Sequence, residues 1–133
     1  MKSLGTLLLA LLSLSLNAHD NEALSVDKVI DKELLLIFPN DNNVQPNKSD
    51  FEVIHTILMS NELGERFVTI TLKNTSVDNR IFDHKQLMGL FANGKRRSPY
   101  ESKVSFEGEE TQTLTLSFGQ SKFPLLQVYT RGR

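Results

Sequence analysis

Residues 66–74 read RFVTITLKN, and this stretch decides the fold. Val68, Ile70 and Leu72 point to one side of an extended chain, while Thr69, Thr71 and Lys73 point to the other. That period of two marks a half-buried strand of an antiparallel sheet, with one face on a core and one face in water. The same rhythm returns at 113–118, TLTLSF, where Leu114, Leu116 and Phe118 form the core face and Thr113, Thr115 and Ser117 the wet one.

Working outward, FEVIHTILMS at 51–60 mixes β-branched and aromatic residues and reads as a strand rather than a helix, closed by a turn at Gly64. Upstream, Leu34–Phe38 is a continuous apolar run ended by Pro39, the pattern of a buried strand, and the Asn, Asp and Pro content of 40–50 marks a loop. Residues 20–32 are polar with scattered Leu24, Val26, Val29 and Ile30, either a loose lead-in or one short first strand. Downstream, the irregular segment 74–86 carries Ile81 and Phe82 as expected plugs into the core. A strand is expected over 87–92, then Asn93-Gly94 as a two-residue hairpin turn with positive φ, then a short polar edge strand over 95–98 ended by Pro99. Val104 and Phe106, a turn at 107–109 and a last strand at 125–129 complete the series. About seven short strands with regular turn signals and no amphipathic helix predict an all-β, immunoglobulin-like antiparallel β-sandwich.

Lys2 followed by the uncharged, leucine-rich run Leu4–Leu16 has the layout of a secretory signal peptide, with cleavage expected after Ala18. The run is too short for a membrane anchor, which needs about 20 apolar residues. The expected organisation is a signal peptide over 1–18, an N-terminal lead-in over 19–32 and the sandwich over 33–133, with a periplasmic or secreted location. Without Lys2 the charge balance of the mature chain is 14 basic against 16 acidic groups, a formal charge of −2. That balance gives no reason to expect nucleic-acid binding, and no later stretch is long and apolar enough to span a membrane. The chain has no cysteine, which excludes thiol catalysis, disulfides and Cys-ligated zinc and leaves packing to supply the stability.

The strand ending in Lys-Asn-Thr (73–75), the Gly-Lys pair at 94–95 and the Gly-Glu of 108–109 before the Thr-Leu of 113–114 resemble a group of small exported bacterial proteins with an immunoglobulin-like domain. The nearest likeness is to the family catalogued as domain of unknown function 4354. It spans roughly residues 51–118 and implies a bacterial envelope setting and a sandwich; it transfers no catalytic residue.

The sequence holds no Gly-x-Ser-x-Gly elbow, no His-Glu-x-x-His and no phosphate-cradling glycine loop, so the chain is expected not to be an enzyme and to need no cofactor. Glu107, Glu109 and Glu110 cluster at a turn without the spacing of a calcium loop. Lys95, Arg96 and Arg97 in GKRRS are the partner-binding candidates: three cations beside a hairpin turn, suited to an acidic protein partner in the envelope, to an anionic envelope surface, or to blocking edge-to-edge pairing. Phe67, Phe123 and Tyr129 are candidates for an outward apolar patch. The leading expectation is therefore a non-enzymatic binding or accessory module. One alternative is a periplasmic copper protein: cleavage after Ala18 would expose the α-amine and imidazole of His19 as a chelate that His55 or His84 would complete. Another is an immunity or inhibitor protein of the envelope.

Overall fold

The computed structural model describes residues 23–30 and 44–133; the leader, His19 and the strand expected over Leu34–Phe38 lie outside the described residues. Eleven strands are present among those described: β1 (Ser25–Ile30), β2 (Lys48–Ser49), β3 (Phe51–Ser60), β4 (Glu65–Asn74), β5 (Arg80–Asp83), β6 (Met88–Phe91), β7 (Arg96–Arg97), β8 (Lys103–Phe106), β9 (Thr111–Gln120), β10 (Leu125–Tyr129) and β11 (Arg131–Gly132). One 3-10 turn, His84–Gln86, separates β5 from β6. No helix among the described residues is long and apolar enough to cross a membrane.

A four-stranded antiparallel sheet runs in the order β1-β3-β4-β9, and a three-stranded one in the order β10-β6-β7. Taking β3, β4, β6, β7, β9 and β10 as successive strands, the first, second and fifth share one sheet, and the third lies between the fourth and sixth in the other. That is the order of an immunoglobulin-like sandwich. The antiparallel ribbon β5–β8 and the short parallel pair β2–β11 are added to it.

The two alternating strands meet their expected faces. Val68, Ile70 and Leu72 are fully buried, and Leu116 and Phe118 nearly so. On the wet side, Thr69 and Thr71 pair with Thr115 and Thr113 through hydroxyl contacts of 2.9 Å each. Phe91 of β6 meets Phe118 of β9 edge to face at 5.9 Å, joining the two sheets. Phe51 packs against Phe82 and Phe106 at 5.5 and 4.9 Å, so the β5–β8 ribbon closes one end of the same core. Burying side chains of this size stabilises by about 1.5–3 kcal/mol each.

Several elements differ from expectation for identifiable reasons. Of the two alternatives for residues 20–32, a strand forms: β1 pairs with β3, with Val29 opposite Ile57, so part of the lead-in belongs to the sheet. Segment 51–60 does not alternate cleanly because the register slips between Val53 and His55. Phe51 and Val53 face the core before this bulge, Thr56 and Leu58 after it, since one extra residue reverses the parity of a strand. Phe82 is buried but Ile81 is 61% exposed, because neighbours in a strand face opposite sides. The hairpin at 91–95 is not a two-residue turn. Phe91 accepts from Gly94 N at 2.8 Å and donates to Lys95 O at 2.9 Å, and Gly94 alone has positive φ, at 84°. This is a three-residue loop with glycine in the left-handed position.

Asn74, at the end of β4, is fully buried. Its Nδ2 donates to the carbonyls of Asp78 and Glu107 at 2.8 and 2.9 Å, its Oδ1 accepts from Ser76 N at 3.0 Å, and its backbone N donates to Glu110 O at 2.8 Å. One carboxamide thus ties β4 to the turns at 75–79 and 107–110. The two turns touch so closely that a Cβ at Gly108 would lie 2.0 Å from the Val77 carbonyl oxygen. Asn74→Ala would leave several buried groups without partners, and the expected loss is about 3 kcal/mol in urea unfolding. A loss below about 0.5 kcal/mol, the size of an ordinary surface change, would show that Asn74 does not hold these turns.

Candidate functional site

The GKRRS hairpin is built from β6 and β7, with Leu90 opposite Arg96 and Gly89 opposite Arg97. Arg96 is half-buried against the fold, and Arg97, although exposed, reaches back onto it. Arg96 hydrogen-bonds the Tyr129 hydroxyl through Nη1, and its guanidinium carbon lies 5.3 Å from the centre of that ring. Arg97 donates to the carbonyls of Phe118 and Gln120 at 2.7 and 3.4 Å and lies 4.6 Å from the centre of the Phe91 ring. It therefore ties β7 of one sheet to β9 of the other. Lys95 remains exposed at the turn. Of the three cations expected to form one outward patch, two have structural partners, which the sequence could not reveal because those partners lie 21 to 33 residues away.

The histidines occupy separate elements. His55 sits at the bulge of β3 opposite Thr71; His84 opens the 3-10 turn, its Nδ1 3.3 Å from the Asp83 carboxylate. No group of three or more His, Cys, Asp or Glu side chains suited to a metal comes together among the described residues, and His19 lies outside them. Glu110 accepts the backbone N–H of Glu107 at 2.7 Å, so one carboxylate of the acidic turn holds the turn itself. Of the three candidate surface aromatics, Tyr129 is buried beneath Arg96, Phe123 is 44% exposed in the connection before β10, and Phe67 is half-buried on β4.

Phe67 belongs to a surface that the sequence reading left incomplete, the outer face of the four-stranded sheet. The register places Val26, Met59 and Phe67 in one row and Val29 and Ile57 in the next. Val26 and Val29 are 60% and 53% exposed; Ile57, Met59 and Phe67 are half-buried. The second row continues into the hydroxyl pair of Thr69 and Thr115. One corner of the face is thus apolar and the other is lined with hydroxyls. Isolated apolar residues are ordinary on a protein surface, whereas adjoining rows of them suit a contact with another molecule. The available signal was the valine spacing in 20–32, which acquires meaning only once β1 is known to lie beside β3.

Comparison of the chain with protein families, with curated proteins and with solved structures finds no match. The likeness to domain of unknown function 4354 accordingly rests on the quoted residues alone, and the site must be argued from its own chemistry.

The division of labour within GKRRS can be measured. Arg97→Ala is expected to destabilise the fold by about 1 kcal/mol through its lost carbonyl and ring contacts, while Lys95→Ala leaves the urea midpoint unchanged. Equal effects of the two substitutions would contradict a structural role for Arg97.

Proposed function

We propose that this chain is an exported binding module of a bacterial envelope, periplasmic or secreted, that docks a protein partner without catalysing a reaction. The contact surface is the apolar corner of the four-stranded sheet, formed by Val26, Val29, Ile57, Met59 and Phe67. The observation that carries this reading is the placement of five apolar side chains in two laterally paired rows on the side of the sheet away from the core, with two of them more than half exposed. Water gains nothing from such a surface, and covering it would be favoured by roughly 25 cal/mol for each Å² of apolar area removed from solvent. The leader-like run Leu4–Leu16 supports the exported setting. The GKRRS segment contributes Lys95 and the exposed side of Arg97 to any contact, since Arg96 is half-buried on Tyr129.

A photo-crosslinking residue placed at Val29, and separately at Lys95, in cells that export the chain tests the assignment. An adduct from position 29 is expected, lost when Val26→Asp introduces a charge beside it. Both valines are exposed, so these changes leave the unfolding midpoint near that of the parent. An adduct from position 95 alone would return the contact to the hairpin, and an adduct at 29 that persists in Val26→Asp would remove the apolar rows from the account.

A further inference from the structure

On another part of the surface, two cations are held side by side. In the parallel pair β2–β11, Lys48 lies directly opposite Arg131, and Gly132 opposite Ser49. Ser49 is buried, so alternation turns Lys48 outward, and both Lys48 and Arg131 are exposed. Adjacent strands lie about 4.8 Å apart, a distance at which like charges directly opposite one another destabilise the pairing. The neighbouring turn carries a third cation. The backbone N–H of Asn47 donates to the carbonyl of Lys85 at 2.9 Å, bringing the 3-10 turn alongside the residue that precedes Lys48, and Lys85 is exposed.

The nearby carboxylates of Asp50 and Asp83 are engaged elsewhere. Asp50 faces the Nε atoms of Arg80 and Arg133 at 3.0 and 3.4 Å. Asp83 accepts the backbone N–H of Lys85 at 2.8 Å and lies beside His84 and Lys103. Glu52 is opposite Lys73 in the sheet. Lys48, Lys85 and Arg131 have no acidic partner among the described residues, in a chain whose formal net charge is −1.

We propose that Lys48, Lys85 and Arg131 form a binding site for a phosphate group, either free or carried on the headgroup of an anionic lipid. A phosphate bears one to two negative charges and several acceptor oxygens. The planar guanidinium of Arg131 offers paired donors to two of those oxygens, while the two ammonium groups supply compact charge. The bound anion replaces the repulsion across β2–β11 with two attractions. The site is separate from the apolar face and does not depend on it.

Repulsion relieved by a ligand gives two effects of opposite sign, which makes the test decisive. Melting temperature is followed in increasing inorganic phosphate, with chloride adjusted to hold ionic strength constant so that simple screening is matched. The parent chain is expected to show a saturable rise. Lys48→Gln is expected to melt at or above the parent temperature without phosphate, because the repulsion is gone, and to lose at least half of the phosphate-dependent rise. In a second arm, binding to vesicles of phosphatidylglycerol in phosphatidylcholine is compared for the parent and for Lys48→Gln with Arg131→Gln. Vesicle binding that the double substitution abolishes, without a response to free phosphate, identifies the headgroup as the source. A phosphate response without vesicle binding identifies the free anion. Responses of equal size in parent and variants, or no response in either arm, overturn the site.

Discussion

A single buried carboxamide holds the frame on which the rest is arranged. β4 is the strand that pairs with both β3 and β9, and Asn74 closes it. Its side chain satisfies two carbonyls and one N–H from turns that enter and leave the β5–β8 ribbon. A polar group removed from water must find such partners or destabilise the fold, and here each partner comes from a segment with little secondary structure of its own. The ribbon is thereby fixed against the sandwich end, where Phe82 and Phe106 reach Phe51.

The arginines show how charge is divided between structure and surface. Arg97 crosses from β7 to the carbonyls of β9, and Arg96 covers the ring of Tyr129, so both act as packing groups whose charged ends are used within the fold. The cations at Lys48, Lys85 and Arg131 meet solvent with no acidic partner among the described residues and no carbonyl or ring contact of the kind that holds Arg97. A cluster in sequence became a pair of braces, while a cluster in space was assembled from three distant segments. The apolar corner of the outer face has the same character, since Val26 and Val29 come from β1 while Met59, Ile57 and Phe67 come from the β3–β4 hairpin.

Most of the β-rich architecture was legible because alternation is a local property. RFVTITLKN and TLTLSF present their core and wet faces as written, and Asn74 ends its strand. Legibility failed at the bulge of β3. In β3 the slip near Ile54 and His55 reverses the parity of the strand, so Thr56 and Leu58 face the core beyond it where unbroken alternation from Phe51 and Val53 would put Ile57 and Met59. It failed again in the Asn-Gly turn, where Gly94 alone took the left-handed conformation and the loop gained a residue. The side on which Tyr129 lies is set by its partner Arg96, which is 33 residues earlier in the chain and so outside the reach of local alternation.

The sequence by itself determined the strand class, the two faces of the central strands and the absence of cysteine chemistry, because side-chain alternation and composition need no knowledge of neighbours. Only the tertiary structure decided which cations stay free, which valines adjoin Phe67 and which phenylalanines close the core. Those outcomes depend on strand order and register. Register is set by bulges and by long-range pairing, and a shift of one residue changes every neighbour a side chain meets.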